Sequence, residues 1–220
     1  MKFDFLSIPK VCISLVRSKE RRERVSAQFK RFNLSVPFFD AIDKNNIIVP
    51  ELSVKLNHQP KNAPGVLACV LSHIAVFKKS DKLNLPAICV FEDDIILSSI
   101  FGEQIERIQN NYIDFDVFIL GGHHPSKDWN GKTAYPTKDE GIYKITRMNG
   151  TYAYCITRPV YQYFIRNWNY NFGCDEFFSE KIYSNFNTYA MSPFPVGTEP
   201  NKSDITDSLF DYDANKYFAG

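Results

Sequence analysis

The sequence lacks an excess of charge of either sign. It contains 26 basic and 25 acidic residues among 220, so its formal net charge at pH 7 is +1. Proteins that bind nucleic acids need a broad positive field, because much of their affinity comes from phosphate contacts. The balance argues against nucleic acid as a partner, and we expect any charged ligand to be recognised locally.

The sequence also lacks an apolar run long enough to cross a membrane. Such a span needs about 20 apolar residues. Asp4 and Pro9 interrupt the N-terminal stretch where a signal peptide would be continuously apolar. We therefore expect a cytoplasmic protein, while peripheral contact with a membrane or a lipid-linked acceptor stays open. The sequence does not indicate an oligomeric state.

Cysteine pairs with metal-binding spacing are missing as well. The five cysteines are scattered without a CxxC pair, and most of them lie inside apolar runs: Cys12, Cys69, Cys89, Cys155 and Cys174. Cysteines of this kind are typical of buried small residues in a reducing compartment. The pattern argues against a disulfide scaffold and against a zinc site.

The sequence also lacks a glycine-rich loop of the kind that binds phosphates. No GxxxxGK[ST] motif occurs, and no glycine-rich loop follows the first predicted strand. Such loops hold phosphates through their backbone N–H groups. Their absence counts against nucleotidyl or phosphoryl transfer, although a metal-dependent nucleotidyltransferase stays an alternative.

What the sequence does contain is an alternation of apolar strands and helical segments. With 44% hydrophobic residues, the chain can bury a large core, and its length fits a single domain of residues 1–220. The alternation favours an α/β fold with a mostly parallel central sheet flanked by helices. From residue 192 onward the chain is loop-like, so we interpret 192–220 as a C-terminal tail or lid.

The predicted elements follow from apolar periodicity and from breaker residues. Strands are predicted at 11–16, 36–43, 87–91, 116–122, 142–146 and 151–157, and helices at 17–31, 65–79, 103–112, 159–168 and 174–184. Loops are predicted at 44–64 and 123–140. The helix at 17–31 should be amphipathic and the helix at 65–79 buried, because its residues are apolar almost all round.

Three consecutive carboxylates follow the apolar strand at 87–91. Glu92, Asp93 and Asp94 lie within "VFEDDIIL", with no lysine or arginine near them in the sequence. In α/β sheets, ligands bind in the crevice at the carboxyl ends of the strands. Clustered carboxylates repel one another unless a cation neutralises them, and Mg²⁺ and Mn²⁺ prefer oxygen ligands. Solvation of a loop is the simpler interpretation, but the apolar flanks favour a metal site.

Successive side chains along a strand point to opposite faces, and this alternation predicts different roles for the three carboxylates. Glu92 and Asp94 would share one face of the strand, and Asp93 would point to the other. We predict Asp94 as the first metal ligand, Glu92 as its helper, and Asp93 as a contact for ribose or sugar hydroxyls.

Five segments, in order, resemble glycosyltransferase family 25, which includes lipooligosaccharide and procollagen galactosyltransferases. They are "ISLVRSKERRERV", "GVLACVLSHIAVFKK", "VFEDDIIL", "GTYAYCITRPVYQYFI" and "KSDI". The resemblance implies a GT-A type, Rossmann-like fold, a UDP-sugar donor and a divalent metal held by the acidic motif. Ala68 and Phe77 depart from residues common in the family, which bears on the sugar and the acceptor more than on the fold.

The resemblance assigns four residues of the N-terminal half to the donor site. Leu15 and Arg17 lie where the first strand gives way to a helix, and there a guanidinium and helix amides meet a diphosphate or a uracil. Ser72 and His73 are the strongly polar residues of an apolar helix. His73 is either a hydrogen-bonded core residue or a donor contact. The other arginines of the first helix, Arg21, Arg24 and Arg31, we interpret as its solvated side.

The C-terminal segment "KSDI" is assigned to the same site as part of a lid. A lid excludes water from a reactive donor. Lys202 would meet a phosphate, Ser203 would contact the donor, and Asp204 would complete the metal ligands.

Sugar transfer with inversion also needs a carboxylate that accepts the proton of the acceptor hydroxyl. Asp175 is our first choice for this base and Glu176 the second, although acidic residues at a helix start are also favoured by the helix dipole alone. His123 and His124 are weaker candidates for metal ligands, because neighbouring histidines in a loop are usually just exposed.

The sequence thus predicts a metal-dependent hexosyltransferase that uses Mn²⁺ or Mg²⁺. It would transfer a hexosyl unit from a UDP-sugar to a hydroxyl of a glycan, glycolipid or glycoprotein, with inversion. The alternatives are a non-catalytic module that binds a nucleotide sugar or a glycan on a transferase scaffold, and the nucleotidyltransferase named above.

Overall fold

The computed structural model describes residues 3–55, 63–111, 113–123 and 133–199. The strands in these ranges are β1 Lys10–Ser14, β2 Phe38–Asp40, β3 Ala87–Glu92, β4 Ile95–Leu97, β5 Val117–His123, β6 Ala134–Pro136, β7 Ile142–Ile145, β8 Asn149–Thr157, β9 Thr188–Met191 and β10 Val196–Thr198. The α-helices are α1 Lys19–Arg31, α2 Ile48–Lys55, α3 Pro64–Lys82, α4 Phe101–Asn110, α5 Arg158–Asn167 and α6 Cys174–Phe177, and a π-helical turn, Phe178–Ile182, follows α6.

One large sheet organises the described part of the chain, in the order β2-β1-β3-β8-β5-β9-β7-β6. β8 is antiparallel to both of its neighbours, and β7 is antiparallel to both of its own. The remaining six strands therefore run in one direction. The predicted α/β fold, with a central sheet flanked by helices, is confirmed.

The sheet is buried on both faces, which explains why its central strands are continuously apolar. Along β3, Cys89 and Phe91 point into a cluster with Val25 and Phe29 of α1. Ile88 and Val90 point the other way, into a cluster formed with α3, α5 and α6. β3 is therefore enclosed between α1 on one face of the sheet and α3, α5 and α6 on the other.

The two helices that flank the end of β3 are those that periodicity predicts. On α1, the side chains of Val25 and Phe29 are buried. On α3, apolar and small residues are buried on several sides, together with Ser72 and His73. The amphipathic character of the first helix and the burial of the second are confirmed.

Some short elements differ from the sequence prediction. α2 lies within the predicted loop at 44–64, because Val49 packs against Leu67 and Ala68 of α3. β6 lies within the predicted loop at 123–140. β10 lies in the predicted tail and pairs with β4 in a separate antiparallel ribbon. Three-residue strands such as these carry too few residues to show a periodicity.

In the ranges described, no helix combines the length and the apolar character that a membrane crossing requires.

The close approach of β5 to β10 gives a test of the packing. A Cβ on Gly121 would lie 2.5 Å from the carbonyl oxygen of Val196 and would clash with the ring of Tyr152. We expect Gly121→Ala to lower the free energy of unfolding by about 1–3 kcal/mol, since overpacking forces the backbone to shift. Urea denaturation followed by circular dichroism measures this.

Gly102 on α4 is the matched control, because a Cβ there meets no atom within 4 Å. Gly102→Ala should leave stability unchanged or raise it by up to about 1 kcal/mol, through helix propensity. Equal losses of stability in both variants would contradict the described packing of β5 on β10.

Candidate functional site

A cleft opens at the carboxyl ends of β1 and β3. These strands are parallel neighbours, so Ser14 and Glu92 end at the same edge of the sheet. The cleft is lined by residues from this edge, from the start of α1, from the chain after β2 and from α3: Ile13, Ser14, Leu15, Arg17, Arg21, Ala41, Ile42, Lys44, Gly65, Ala68, Cys69, Ser72, His73, Glu92, Asp93 and Asp94. All the predicted donor and metal residues of the N-terminal half therefore line one cleft.

The acidic triplet forms the end of β3 and the turn that follows it. β3 ends at Glu92, and Asp93 and Asp94 lie in the turn before β4. All three carboxylates line the cleft. Asp93 contacts Ser14 of β1 and Arg21 of α1, whereas Glu92 contacts His73 of α3.

The far side of this turn is held in place by α1 and by the chain after β10. The Gln28 side chain donates to the carbonyl of Ile95 and accepts from the N–H of Leu97, at 3.0 and 2.7 Å. The N–H of Glu199 donates to the carbonyl of Asp94 at 2.9 Å. Arg24 on α1 forms an ion pair with Glu199 at 2.6 Å. The turn and β4 are therefore fixed through their backbone groups.

Asp93 is buried and bonded on both oxygens. The Ser14 hydroxyl donates to its Oδ2 at 2.6 Å, and Arg21 Nη1 lies 3.2 Å from its Oδ1. Burial raises the pKa of Asp93 above its ordinary value, although Ser14 and Arg21 both act to lower it. The side chain of Arg21 is only 19% exposed. The interpretation of Arg21 as part of a solvated face is thus wrong, and Arg21 supplies the cation that the sequence around the triplet lacks.

Asp94 differs from Asp93, because one of its oxygens has no partner among the residues that the structure describes. Its Oδ1 is shielded from solvent and accepts no hydrogen bond from the described residues. Burial, and then the charge of Glu92, raises the pKa of Asp94 to about 7. A buried, unpartnered carboxylate oxygen is costly unless a ligand compensates it. Among the three carboxylates, Asp94 is the one whose surroundings favour a bound cation.

Glu92 is connected to α3 through His73. His73 Nε2 lies 3.3 Å from Glu92 Oε1, and His73 Nδ1 lies 2.7 Å from the hydroxyl of Tyr154 on β8. His73 and Tyr154 are both buried. His73 is therefore at once a hydrogen-bonded core residue and a part of the cleft wall, so the two interpretations of the sequence are compatible.

Ser72 and the residues after β1 form part of the cleft wall. The Ser72 hydroxyl accepts from the N–H of Ile42 and donates to the carbonyl of Ala68, at 2.9 and 2.7 Å. These hydrogen bonds connect the chain after β2 to α3.

Leu15 is half-buried at the end of β1. Arg17 is 47% exposed and forms an ion pair with Asp43.

Asp175 and Glu176 begin α6, as the sequence predicts. Glu176 Oε2 accepts from the N–H of Gly173 at 3.0 Å, and the N–H of Glu176 donates to Asp175 Oδ1 at 2.9 Å. Burial raises the pKa of Asp175, and the charges of Glu176 and Glu92 add to the rise. Glu176 is thus occupied in capping the helix. Asp175 lies near enough to Glu92 for their charges to interact.

His123 ends β5 and is half-buried. Burial lowers the pKa of His123, while the charges of Asp175 and Glu92 act to raise it. It therefore shares an electrostatic environment with the predicted base and the acidic turn. Four other predicted residues lie outside the described ranges and stay predictions: His124, Lys202, Ser203 and Asp204.

Sequence reasoning missed Ser14, Arg21 and Tyr154 as partners of the site. The spacing of Arg21, one turn after Arg17, was the available signal. For Ser14 and Tyr154, nothing local marks a contact with Asp93 or His73.

Comparisons with known proteins agree with the resemblance. Residues 7–178 match the family model described as glycosyltransferase family 25 (LPS biosynthesis protein). The chain is 34% identical over 148 residues to the lacto-N-neotetraose biosynthesis glycosyltransferase LgtB of Neisseria meningitidis serogroup B, covering 65% of this chain and 49% of that protein. It is 31% identical over 114 residues to the lipooligosaccharide biosynthesis protein lic2B of Haemophilus influenzae, covering 49% and 42%.

A human relative, inactive glycosyltransferase 25 family member 3, is 29% identical over 123 residues, covering 50% of this chain and 21% of that protein. The chain spans about half the length of the bacterial relatives it matches.

Proposed function

The chain belongs to glycosyltransferase family 25, and on this premise we propose that it is a metal-dependent hexosyltransferase. It transfers a hexosyl unit from a UDP-sugar to a hydroxyl of a glycan, glycolipid or glycoprotein, with inversion. The donor lies in the cleft at the ends of β1 and β3.

The observation that carries this proposal is the state of Asp94. Its Oδ1 is buried without a partner among the described residues, at the edge of the sheet where α/β proteins bind ligands. Its raised pKa follows from that burial and from Glu92. A protein that bound no cation here would gain stability by replacing this carboxylate, so its presence supports a role in binding.

Asp94 and Glu92 would hold the cation, and Mn²⁺ and Mg²⁺ suit their oxygen donors. When bound, the cation neutralises negative charge that develops on the diphosphate leaving group. Asp204 stays a predicted third ligand.

The remaining residues of the cleft bind and orient the donor. Arg17, Arg21 and Lys44 line the same cleft as the acidic turn. Guanidinium groups bind phosphate oxygens in a bidentate way, so Arg17 and Arg21 are suited to the diphosphate. Ser14 and Arg21 fix the Asp93 carboxylate, which can then accept hydrogen bonds from ribose or sugar hydroxyls.

Asp175 takes the proton of the acceptor hydroxyl. In a single displacement, the acceptor oxygen forms a bond to the anomeric carbon while the bond from that carbon to the diphosphate oxygen breaks, and UDP leaves. The hydroxyl proton passes to an Asp175 carboxylate oxygen. Burial makes Asp175 a stronger base than an ordinary aspartate, since it raises the pKa of the group.

A panel of UDP-sugars tests the proposal. We expect at least one of them to raise the melting temperature of the purified chain in the presence of Mn²⁺, and to be cleaved slowly with release of free UDP. Release of pyrophosphate or of a nucleoside monophosphate would instead indicate a nucleotidyltransferase. If no UDP-sugar is bound or cleaved with Mn²⁺ present, the proposal is wrong.

A non-catalytic binding module is the second candidate, because a family relative is described as inactive. It predicts binding of a UDP-sugar without release of UDP under any acceptor tested. It also predicts that Asp94→Ala leaves that binding unchanged.

A further inference from the structure

A second group of metal-binding side chains lies beside the acidic turn, on the wall that α3 forms. Within the described ranges, the sulfur of Cys69, a ring nitrogen of His73 and a carboxylate oxygen of Glu92 all lie within 4.8 Å of one another. Cys69 and His73 are four residues apart on α3, so their side chains project from the same face of the helix. Glu92 reaches them from the end of β3. The acidic triplet forms no such group of three among the described residues.

The spacing of these donors fits tetrahedral coordination. With metal–nitrogen and metal–oxygen bonds of about 2.0–2.1 Å, two ligand atoms of a tetrahedral site lie roughly 3.3 Å apart. His73 Nε2 and Glu92 Oε1 are separated by 3.3 Å. The Cys69 sulfur lies within 4.8 Å of the ligand atoms of the other two residues.

Tyr154 supplies the contact that metal-binding histidines usually have on their other nitrogen. Its hydroxyl lies 2.7 Å from His73 Nδ1. When Nδ1 carries the proton and donates it to Tyr154, the lone pair of Nε2 faces the Glu92 oxygen, and a cation between them is attracted to both. In the other tautomer, Nε2 donates to Glu92 directly, which suits the metal-free protein.

We infer that Cys69, His73 and Glu92 form a binding site for a four-coordinate transition metal such as Zn²⁺, with its fourth position open to the cleft. All three residues line the cleft, so a water molecule or a ligand atom can reach the metal. Thiolate and imidazole donors favour Zn²⁺ over Mg²⁺ and Mn²⁺. On binding, the thiol proton of Cys69 leaves to solvent and the sulfur bonds the metal as a thiolate.

This site is distinct in its chemistry from the oxygen site at Asp94, and the inference does not rest on the proposed function. Glu92 belongs to both sets of donors, so the two sites share this carboxylate. The absence of a CxxC pair argues against a zinc site in the sequence. A Cys and a His that are one helical turn apart do not form a CxxC pair, so that criterion does not detect them.

Cobalt titration of the whole chain tests the inference. Co²⁺ is added to protein stripped of metal with a chelator and dialysed, with a phosphine as the reductant. We expect one equivalent to give a thiolate-to-cobalt charge-transfer band in the near ultraviolet and the intense visible bands of four-coordinate cobalt. Zn²⁺ should abolish both, because it displaces Co²⁺ from the same ligands.

Variants identify the ligands. Cys69→Ser should remove the charge-transfer band and weaken Zn²⁺ binding by at least about 100-fold, since outer contacts alone typically change affinity 10- to 100-fold. Tyr154→Phe should weaken Zn²⁺ binding by about 10-fold and keep the band. Cys174→Ser is the matched control, because Cys174 is a buried cysteine near enough to Cys69 for their charges to interact, and it should keep both band and affinity.

A measurement on the wild-type chain tests the site even if Cys69→Ser fails to fold. Zn²⁺ should slow the alkylation of Cys69 by a maleimide, as measured by peptide mass spectrometry, while Mg²⁺ should not. The inference is wrong if Co²⁺ gives only the weak spectrum of an octahedral aqua ion, or if the band survives in Cys69→Ser. If the cobalt bands appear but no UDP is released, the metal site is supported and the proposed function is wrong. If UDP is released but the cobalt bands are absent, the proposed function is supported and the metal site is wrong.

Discussion

Replacing Asp94 with asparagine is expected to abolish sugar transfer and, at the same time, to stabilise the metal-free protein. Asn keeps the shape of the side chain but cannot neutralise a cation. We expect the transfer rate, measured as UDP released with Mn²⁺, to fall by about 100-fold or more. The buried Oδ1 accepts no hydrogen bond from the part of the chain that the structure describes, so removing the charge also removes a cost of folding.

The stability effect has a definite dependence on pH. The folded-state pKa of Asp94 is raised to about 7, so the charged form is disfavoured in the folded protein. The wild type therefore loses stability as the pH rises from about 4 to 7. Asp94→Asn should lose less, because Asp93 and Asp175, whose pKa values burial also raises, remain in the variant. In a chelator at pH 8, the variant should be more stable by on the order of 3 kcal/mol, and near pH 4 the difference should vanish. Urea unfolding at both pH values measures this.

Asp114→Asn is the control for this experiment, because Asp114 is exposed and precedes β5, away from the cleft edge of the sheet. It should change neither transfer nor the pH dependence of stability. An Asp94→Asn protein that keeps wild-type transfer, or that is less stable than the wild type in chelator at pH 8, would contradict the role given to Asp94.

The fold was predictable where a pattern is long and local. β3 and α3 are apolar over many residues because they are buried on more than one side, and both were predicted within a few residues of their bounds. β4 and β10 have three residues each and exist because they pair with one another across a long separation in sequence. No local pattern reports such a pairing.

In the candidate site too, residues that are adjacent in the sequence could be predicted, and contacts between distant residues could not. The acidic triplet is visible in the sequence because its three members are consecutive. Their partners are not, since Arg21 stands 72 residues and Ser14 79 residues before Asp93. Only the fold brings them together, and it also shows which carboxylates are already engaged. Within the described ranges, Asp93 has two partners, whereas Asp94 Oδ1 has none.

The second large effect is expected at Asp175. We expect Asp175→Asn to lower kcat for transfer by about 100- to 10,000-fold, the usual contribution of a general base. The KM for the donor should hardly change, because Asp175 is assigned to the acceptor side. UDP release at saturating donor and acceptor measures kcat, and the donor-induced rise in melting temperature confirms that binding persists.

Glu176→Gln is the matched control on the same helix. Glu176 Oε2 accepts from the N–H of Gly173, and the amide oxygen of glutamine can accept the same bond. This variant should therefore keep kcat within a few-fold of the wild type. If Glu176→Gln were the inactive variant and Asp175→Asn the active one, the base would have to be reassigned to Glu176.

The pH dependence of transfer separates a base from a merely structural residue. Burial, with the charges of Glu176 and Glu92, raises the pKa of Asp175, and a base acts only in its deprotonated form. The wild-type rate should therefore fall with decreasing pH at a midpoint above the ordinary aspartate value. The residual activity of Asp175→Asn should lack this acidic limb. A variant that is slow but keeps the wild-type limb would show that Asp175 supports the fold of α6 and does not take the proton.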